Sequence, residues 1–240
     1  MNVVMPMAGR GSRFADLGYA LPKPLIDVRG KPMYAWAMES LPLELAERVI
    51  FICLAEHLRE RALEQDIRTR YAKYRPVIVS LDRVTEGQAC TVLEAADLID
   101  DDQALLIYNA DTYCKTGLAR CLQSLPAEVA GVLGVFEAPG DKWSFVRLDE
   151  RGRVVETAEK RRISNWASTG LYHFSHGKDF VRHARAMIAA NERERGEFYV
   201  APVYNRLIAD GDDVRIDVAE EVWALGTPED LASFEARYPR

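Results

Sequence analysis

The sequence of 240 residues has no apolar run approaching the roughly 20 residues that a membrane-spanning helix needs. Its N-terminus also lacks a basic stretch followed by a signal-type apolar core. The formal net charge of −6 argues against non-specific binding to nucleic acid or to an anionic membrane face. We therefore expect a cytoplasmic protein that binds neither nucleic acid nor membrane, and whose anionic substrates meet local cationic sites. The sequence specifies no oligomeric state.

Several catalytic and metal-binding patterns are also missing. The cysteines form no CxxC pair, and Cys53 lies inside an apolar run, so we expect free thiols with a packing role. The histidines show neither HxH nor HExxH spacing, which argues against zinc. No GxSxG pattern is present, and no Ser/His/Asp constellation follows from the spacing.

The N-terminal segment, residues 1–33, carries the strongest functional signal. Apolar residues 3–7 indicate a strand, and Gly9 and Gly11 follow in a turn whose backbone N–H groups can approach phosphate oxygens. Phe14 stands where a dinucleotide fingerprint needs a third small residue, and no Gly-Lys-Ser/Thr completes a P-loop. Two prolines bracket Lys23 and fix the chain around it, which indicates an aimed cation. The expected ligand is a nucleoside triphosphate. Further cations in the segment are Arg10, Arg13 and Lys31.

The motifs GxGxRF, PKPLI and GKPM in this segment resemble the opening of the nucleotidyltransferases that make nucleotide-activated sugars and related phosphorylated compounds. The resemblance implies that the glycine-rich loop, with Ala8, Gly9 and Gly11, holds the triphosphate. It also implies that Arg13 contacts the phosphates and that Lys23 acts at the reacting centre.

Residue patterns predict an α/β fold, a Rossmann-like three-layer arrangement of a mixed, mainly parallel sheet with helices on both faces. Predicted strands cover residues 3–7, 48–54, 76–81, 104–108, 131–137, 144–149, 154–158, 165–174, 214–218 and 222–225. Predicted helices cover residues 34–41, 55–74, 91–99, 178–190 and 199–209, and a last helix begins near Thr227. The simplest organisation is a single domain over residues 1–240, with an NTP-binding half over residues 1–130 and an acceptor-binding half over residues 131–240.

Asp111 follows the strand predicted over residues 104–108, so it should project from the carboxyl end of a central strand, where α/β sheets place ligands. Mg²⁺ usually takes one or two protein carboxylates plus substrate phosphates. A turn former or helix cap is the alternative interpretation. Because the family has its metal-binding aspartate after this strand, the resemblance supports Asp111 as a ligand of Mg²⁺ or Mn²⁺.

The second metal carboxylate of the family precedes a Gly-Thr near the C-terminus, where this sequence has Ala224. Glu221 is the candidate replacement, and strand periodicity places it on one face with Asp217. Asp217 or a water molecule are the alternatives.

Two further segments resemble substrate-binding parts of the family. Residues 86–91 resemble the loop beside the nucleobase, where the Gln88 amide and the backbone around Gly87 are suited to reading a base edge. A solvated glutamine at a helix start is the alternative. Residues 159–172 resemble the acceptor pocket, in which a Glu-Lys pair meets the hydroxyls and phosphate of the acceptor; a solvated ion pair is the alternative. The predicted acceptor-binding residues are Glu159, Lys160, Asn165, Thr169, Gly170 and Glu197.

These motifs predict an enzyme that joins an NTP and a phosphorylated acceptor and releases pyrophosphate. Segments around Trp143, Asp179 and Tyr199 resemble a subgroup found with capsule and surface-polysaccharide genes, which includes cytidylyltransferases with non-sugar acceptors. We expect a sugar 1-phosphate as the acceptor, and CTP before UTP, dTTP or GTP. The alternatives are a cytidylyltransferase for a non-sugar metabolite and, because of Ala224, a non-catalytic nucleotide-binding regulatory module. A nicotinamide-dependent oxidoreductase would need the missing third glycine.

Overall fold

The computed structural model describes residues 1–60 and 63–239. Its strands are β1 (Asn2–Met7), β2 (Asp27–Val28), β3 (Lys31–Pro32), β4 (Arg48–Leu54), β5 (Val77–Leu81), β6 (Leu105–Tyr108), β7 (Thr112–Lys115), β8 (Val129–Glu137), β9 (Ser144–Leu148), β10 (Val154–Glu159), β11 (Trp166–Phe174), β12 (Asp213–Val218) and β13 (Glu221–Ala224). Its helices are α1 (Ser12–Ala15), α2 (Met33–Met38), α3 (Ala55–Glu60), α4 (Leu63–Arg70), α5 (Gln88–Leu93), α6 (Ala96–Ile99), α7 (Leu118–Gln123), α8 (Gly177–Ala189), α9 (Val203–Ala209) and α10 (Pro228–Arg237).

A mixed sheet forms the centre of the described residues, with strand order β10-β9-β11-β6-β1-β4-β5. Strands β6, β1, β4 and β5 are parallel to one another, whereas β11 pairs antiparallel with β6, β8 and β9. Strand β12 extends this part by pairing in parallel with β8. The sheet therefore passes from a parallel part, built from the first half of the chain, into a largely antiparallel part, which confirms the predicted fold class.

Helices cover both faces of the sheet because successive side chains of its central strands point to opposite sides. Val4 of β1 packs in one apolar cluster with residues of α5, α6, α8 and α9. Val3 and Met5 pack in another, with residues of α2, α4 and α7. A third cluster joins α10 to α2 and to the N-terminal segment, and the ring centroids of Trp36 on α2 and Phe234 on α10 lie 4.9 Å apart. No helix in the described part of the chain is long and apolar enough to cross a membrane.

Some predicted boundaries differ from the observed ones. The helix predicted over residues 55–74 corresponds to α3 and α4, and residues 61 and 62 lie outside the described residues. The helix predicted over residues 199–209 begins only at Val203, because residues 200–203 form a turn that the hydrogen bond from Val203 N–H to the Val200 carbonyl closes. The residue patterns missed α1, α7 and the short strands β2, β3 and β7.

Candidate active site

A cleft of about 450 Å³ lies at the carboxyl ends of the parallel strands β1 and β6. Its walls are the glycine-rich loop after β1, the loop before α5, the residues after β6, and the start of β9 with the end of β10. Strand β11 contributes its floor with Ser168, Thr169 and Gly170. A cleft of this size can hold a nucleotide and a small second substrate.

The centre of the cleft contains an ion pair between Lys23 and Asp111, with 2.5 Å between Nζ and Oδ2. Lys23 is the first residue of a 3-10 turn over Lys23–Leu25 and stands between Pro22 and Pro24. The two prolines restrict the backbone there and so set the direction of the lysine side chain. Gly11, at φ +63°, packs so tightly against Lys23 that a Cβ there would lie 2.7 Å from the Cβ of the lysine. Glycine is thus required in the loop for both its backbone conformation and its contact with Lys23.

The loop before α5 forms one end of the cleft. The side-chain amide of Gln88 donates a hydrogen bond to Asn109 Oδ1 over 2.5 Å. Gly87, at φ +140°, lies directly against Phe198, whose backbone N–H donates to Glu86 and whose carbonyl accepts from Ala89 N–H, each over 2.9 Å. These two hydrogen bonds tie the loop at Gln88 to the segment that carries Glu197 and Tyr199.

The wall formed by the start of β9 and the end of β10 contains a buried carboxylate, Glu159, which is 6% exposed. Burial raises the pKa of Glu159 above its ordinary value, although the Ser144 hydroxyl that donates to it and the nearby Lys160 partly offset this. The Lys160 ammonium lies 3.6 Å from Glu159 Oε1 and donates to the Tyr199 hydroxyl over 2.9 Å. This part of the cleft thus offers paired polar groups beside the aromatic rings of Trp143 and Tyr199.

A second carboxylate, that of Asp230, lies near Gly226 as Asp111 does. A Cβ at Gly226 would lie 3.2 Å from Asp111 Oδ2 and 3.9 Å from Asp230 Oδ2, so both carboxylates border the space that this glycine leaves free. The start of α10 positions Asp230, whose backbone N–H donates to the capping hydroxyl of Thr227 over 3.1 Å. Asp230 also accepts from Lys142, a lysine that lines the cleft, over 3.3 Å.

Comparison with known proteins identifies the family. Residues 2–239 match the model of the family described as "Nucleotidyl transferase". The chain belongs to the nucleotidyltransferase family.

Among curated relatives of this nucleotidyltransferase, the UTP–glucose-1-phosphate uridylyltransferase AglF of Haloferax volcanii is 25% identical over 99% of this chain and 96% of its own. The 2-aminoethylphosphonate cytidylyltransferase of Lancefieldella rimae is 26% identical, over 99% and 93%. Some other relatives are longer, and the chain spans 46–48% of their length. A solved nucleoside-diphosphate-sugar pyrophosphorylase of Vibrio cholerae RC9 is 30% identical, with a TM-score of 0.83 over 98% of this chain and 100% of the other.

The cleft of the nucleotidyltransferase brings together most residues that the sequence predicted for its site, and their roles in binding stay predictions. Those that line it are Ala8, Gly9, Gly11, Lys23, Gly87, Gln88, Asp111, Glu159, Thr169, Gly170 and Glu197. Arg13, Lys160 and Asn165 are not among the lining residues. Arg13 is exposed on α1, Lys160 donates a hydrogen bond to the Tyr199 hydroxyl, and the Asn165 side chain accepts one from Arg162.

Glu221, the candidate second metal ligand, does not line the cleft. It pairs with Lys115 at one end of the β13–β7 ladder, whereas Asp111 adjoins the other end, where Ala224 pairs with Thr112. Its carboxylate lies 2.5 Å from the Lys115 ammonium and accepts from the Trp223 indole, and these contacts lower its pKa. Asp217, the alternative, is buried and accepts from Thr116. The structure brings Asp230 near Asp111 instead of either residue.

Sequence reasoning missed Asn109, Lys142 and Ser144, which line the cleft of the nucleotidyltransferase, and Asp230, which lies near Asp111 but is not among the lining residues. Asn109 immediately precedes Ala110 and Asp111, so its position after a buried strand was the available signal. Lys142 and Ser144 follow the turn at Gly140, and no spacing rule links that turn to the sites after β1 and β6. Asp230 looks like an ordinary acidic residue in the first turn of a helix.

Proposed function

We propose that this nucleotidyltransferase joins an NTP and a sugar 1-phosphate, giving a nucleotide-activated sugar and pyrophosphate. The observation that carries the proposal is that the glycine-rich loop, the Lys23–Asp111 pair and the polar groups around Glu159 line one cleft. Two anionic substrates, one at the glycine-rich loop and one at Glu159, would both lie in the cleft that contains this lysine. A role in capsule or other surface-polysaccharide synthesis and a cytoplasmic location stay predictions.

The reaction needs positioning and charge neutralisation more than proton transfer. A phosphate oxygen of the acceptor attacks the α-phosphorus in line, the bond to the bridging oxygen breaks, and pyrophosphate leaves with its electron pair. Because the attacking oxygen is already anionic, it needs no strong general base. Lys23 would stabilise the charge that develops on the α-phosphate and the departing pyrophosphate. Glu159 and the groups around it would orient the acceptor.

The carboxylates fit a divalent metal. No group of three or more His, Cys, Asp or Glu residues gathers as a metal site in the described part of the chain, but Mg²⁺ needs only one or two protein carboxylates when phosphates complete its shell. Asp111 and Asp230 provide hard oxygen donors that border the space at Gly226. When bound there, Mg²⁺ or Mn²⁺ would supply charge neutralisation and orientation of the triphosphate. We propose Asp230, rather than Glu221, as the second carboxylate.

Direct measurement of Mn²⁺ binding tests this assignment. Free Mn²⁺ is followed by electron paramagnetic resonance in the presence of CTP. Asp111→Asn and Asp230→Asn should each weaken binding by about tenfold or more, since each removes a charged ligand. The control Glu229→Gln changes an exposed acid in the same helical turn and should have no effect, as should Glu221→Gln. Wild-type affinity in Asp230→Asn would refute its assignment.

The acceptor could also be a non-sugar phosphorylated metabolite, which one observation favours. The acceptor end combines the carboxylates of Glu159 and Glu197 with the rings of Trp143 and Tyr199, and such groups can bind an ammonium group. The cytidylyltransferase of L. rimae, whose name specifies an aminophosphonate, aligns with 99% of this chain.

A pyrophosphate-release screen decides between these possibilities. Each of CTP, UTP, dTTP, GTP and ATP is combined with glucose 1-phosphate, other sugar 1-phosphates, phosphocholine and 2-aminoethylphosphonate, in the presence of Mg²⁺. We expect release with at least one sugar 1-phosphate. Release only with a non-sugar acceptor would refute the sugar assignment and favour the cytidylyltransferase alternative. Thermal stabilisation by an NTP without release from any pair would favour the regulatory module.

A further inference from the structure

Asn109 lies between the two parts of the cleft that would bind opposite ends of a nucleoside triphosphate. On one side its Oδ1 accepts from the Gln88 amide, the group proposed to read the base. On the other side, two residues further along the chain, Asp111 forms its ion pair with Lys23, where the phosphates would bind. In any nucleotide the ribose connects the base to the phosphates. Asn109 therefore faces the position of the ribose, an argument that rests on the function proposed above.

The orientation of the Asn109 side chain is fixed by tight packing on β11. The backbone N–H of Asn109 donates to the carbonyl of Gly170 over 3.3 Å. Gly170 has φ +85°, and a Cβ there would lie only 2.1 Å from Asn109 Nδ2. Only glycine at position 170 leaves room for this amide, so the floor of the cleft and Gln88 together hold the side chain in one place.

The Nδ2 group of Asn109 keeps its N–H donors available. Its Oδ1 accepts from Gln88, and none of the described backbone groups and side chains accepts a hydrogen bond from Nδ2. Because Asn109 lines the cleft, a ligand oxygen can accept that bond. A neutral amide suits a hydroxyl oxygen, whereas Lys23 and a metal would meet the phosphates. Of the ribose hydroxyls, the 2′ group is attached next to the carbon that bears the base, on the side of Gln88.

We propose that Asn109 selects ribonucleoside over 2′-deoxyribonucleoside triphosphates by donating a hydrogen bond from Nδ2 to the 2′ hydroxyl. A 2′-deoxynucleotide leaves this donor without a partner when the nucleotide covers it. Since an unsatisfied buried donor is costly, we expect discrimination of about tenfold or more. Asn109 is thus a specificity-determining residue, and the substrate class is ribonucleoside triphosphates.

The test compares the nucleotide pairs CTP with dCTP and UTP with dUTP. Calorimetry measures their binding to the wild-type protein without an acceptor, and kcat/KM is measured with the best acceptor from the screen. Asn109→Leu keeps a branched side chain of similar size over Gly170 but removes both donors, and Asn109→Ala is a second variant. In each variant, the ratio of ribonucleotide to 2′-deoxyribonucleotide affinity, and the corresponding ratio of kcat/KM, should come close to one. Gln88→Ala should change the preference between bases and, because Gln88 also holds Asn109, should lower the ribose preference in part. Glu197→Gln, at the proposed acceptor site, is the matched control and should leave the ribose preference in place.

Failure of this inference can be distinguished from failure of the proposed function. Equal binding of CTP and dCTP by the wild-type protein would overturn the inference even if pyrophosphate release is robust. A larger loss of affinity with 3′-deoxy-CTP than with dCTP would also overturn the inference, because this result would place the Asn109 donor at the 3′ hydroxyl. An unchanged ribose preference in folded Asn109→Leu would refute the role of the amide. A merely structural role would weaken both members of a nucleotide pair equally and leave their ratio unchanged.

Discussion

Gly87→Ala tests whether the loop at Gln88 and the segment around Phe198 form one unit. A Cβ at this position would lie 2.4 Å from the carbonyl oxygen of Phe198 and 2.5 Å from its backbone nitrogen. Both atoms are backbone atoms, so no side-chain rotation can relieve the contact. The two segments must separate, and the hydrogen bonds that Phe198 makes with Glu86 and Ala89 must lengthen or break.

The expected cost follows from two contributions. Gly87 has φ +140°, and a side chain in a conformation of this kind costs about 1 to 2 kcal/mol. Each backbone hydrogen bond contributes about 0.5 to 1.5 kcal/mol. We therefore expect Gly87→Ala to lower the free energy of unfolding by about 2 to 5 kcal/mol. Because the displaced segments carry Gln88 and Glu197, KM should rise for the nucleotide and for the acceptor.

Two other glycines provide matched controls in urea denaturation followed by circular dichroism. Gly152 has φ +74° but open space around it, so Gly152→Ala reports backbone strain alone, about 1 kcal/mol. Gly9 has open space and no positive φ, so Gly9→Ala should leave stability nearly unchanged. If Gly87→Ala is no less stable than Gly152→Ala, the contact with Phe198 is not a constraint and the reasoning fails.

Two further predictions concern charged groups of the cleft. Lys23→Met should lower turnover on the order of a hundredfold or more. It should also strengthen Mn²⁺ binding in the absence of nucleotide, because Asp111 loses the ammonium that competes with the metal. Lys31→Met, which removes a partner of Glu39, is the control, and weaker Mn²⁺ binding in Lys23→Met would contradict the reasoning. Glu159→Gln should stabilise the protein at pH 8 and not at pH 4, because a carboxyl with a raised pKa destabilises the folded state once it ionises as pH rises. Arg147 and Arg161 lower the pKa of the Glu156 carboxyl, so Glu156→Gln should instead destabilise the protein at pH 8. Urea midpoints of the two variants that do not differ in this way would refute the assignment.

The sequence predicted those parts of the site in which function depends on local chain geometry. Gly9 and Gly11 follow a buried strand, two prolines bracket Lys23, and Asp111 ends another buried strand. Each pattern fixes where its residue projects, and the parallel sheet then brings the strand ends to one edge. The resemblance to the nucleotidyltransferases extended these predictions to the loop of Gln88 and to Glu159.

The remaining parts of the site depend on contacts that spacing along the chain does not specify. Strand β13 pairs with β7, more than 100 positions earlier in the chain, and this pairing sends Glu221 toward Lys115 and away from Asp111. The turn at Gly226 then places the first turn of α10, with Asp230, beside Asp111. Likewise, Asn165 has the expected position in the chain, but its side chain is engaged by Arg162 outside the cleft.

Pairing of lysines with carboxylates explains how a chain with a net charge of −6 can bind two anionic substrates. Among the described residues that line the cleft, the lysines are Lys23 and Lys142, and each forms an ion pair, with Asp111 and Asp230 respectively. Asp111 and Asp230 would hold a divalent cation when it is bound, and Lys23 and Lys142 would then be available to phosphate oxygens. The carboxylates therefore keep the cleft from holding unpaired positive charge before substrates bind, and the change in Mn²⁺ affinity of Lys23→Met measures this competition directly.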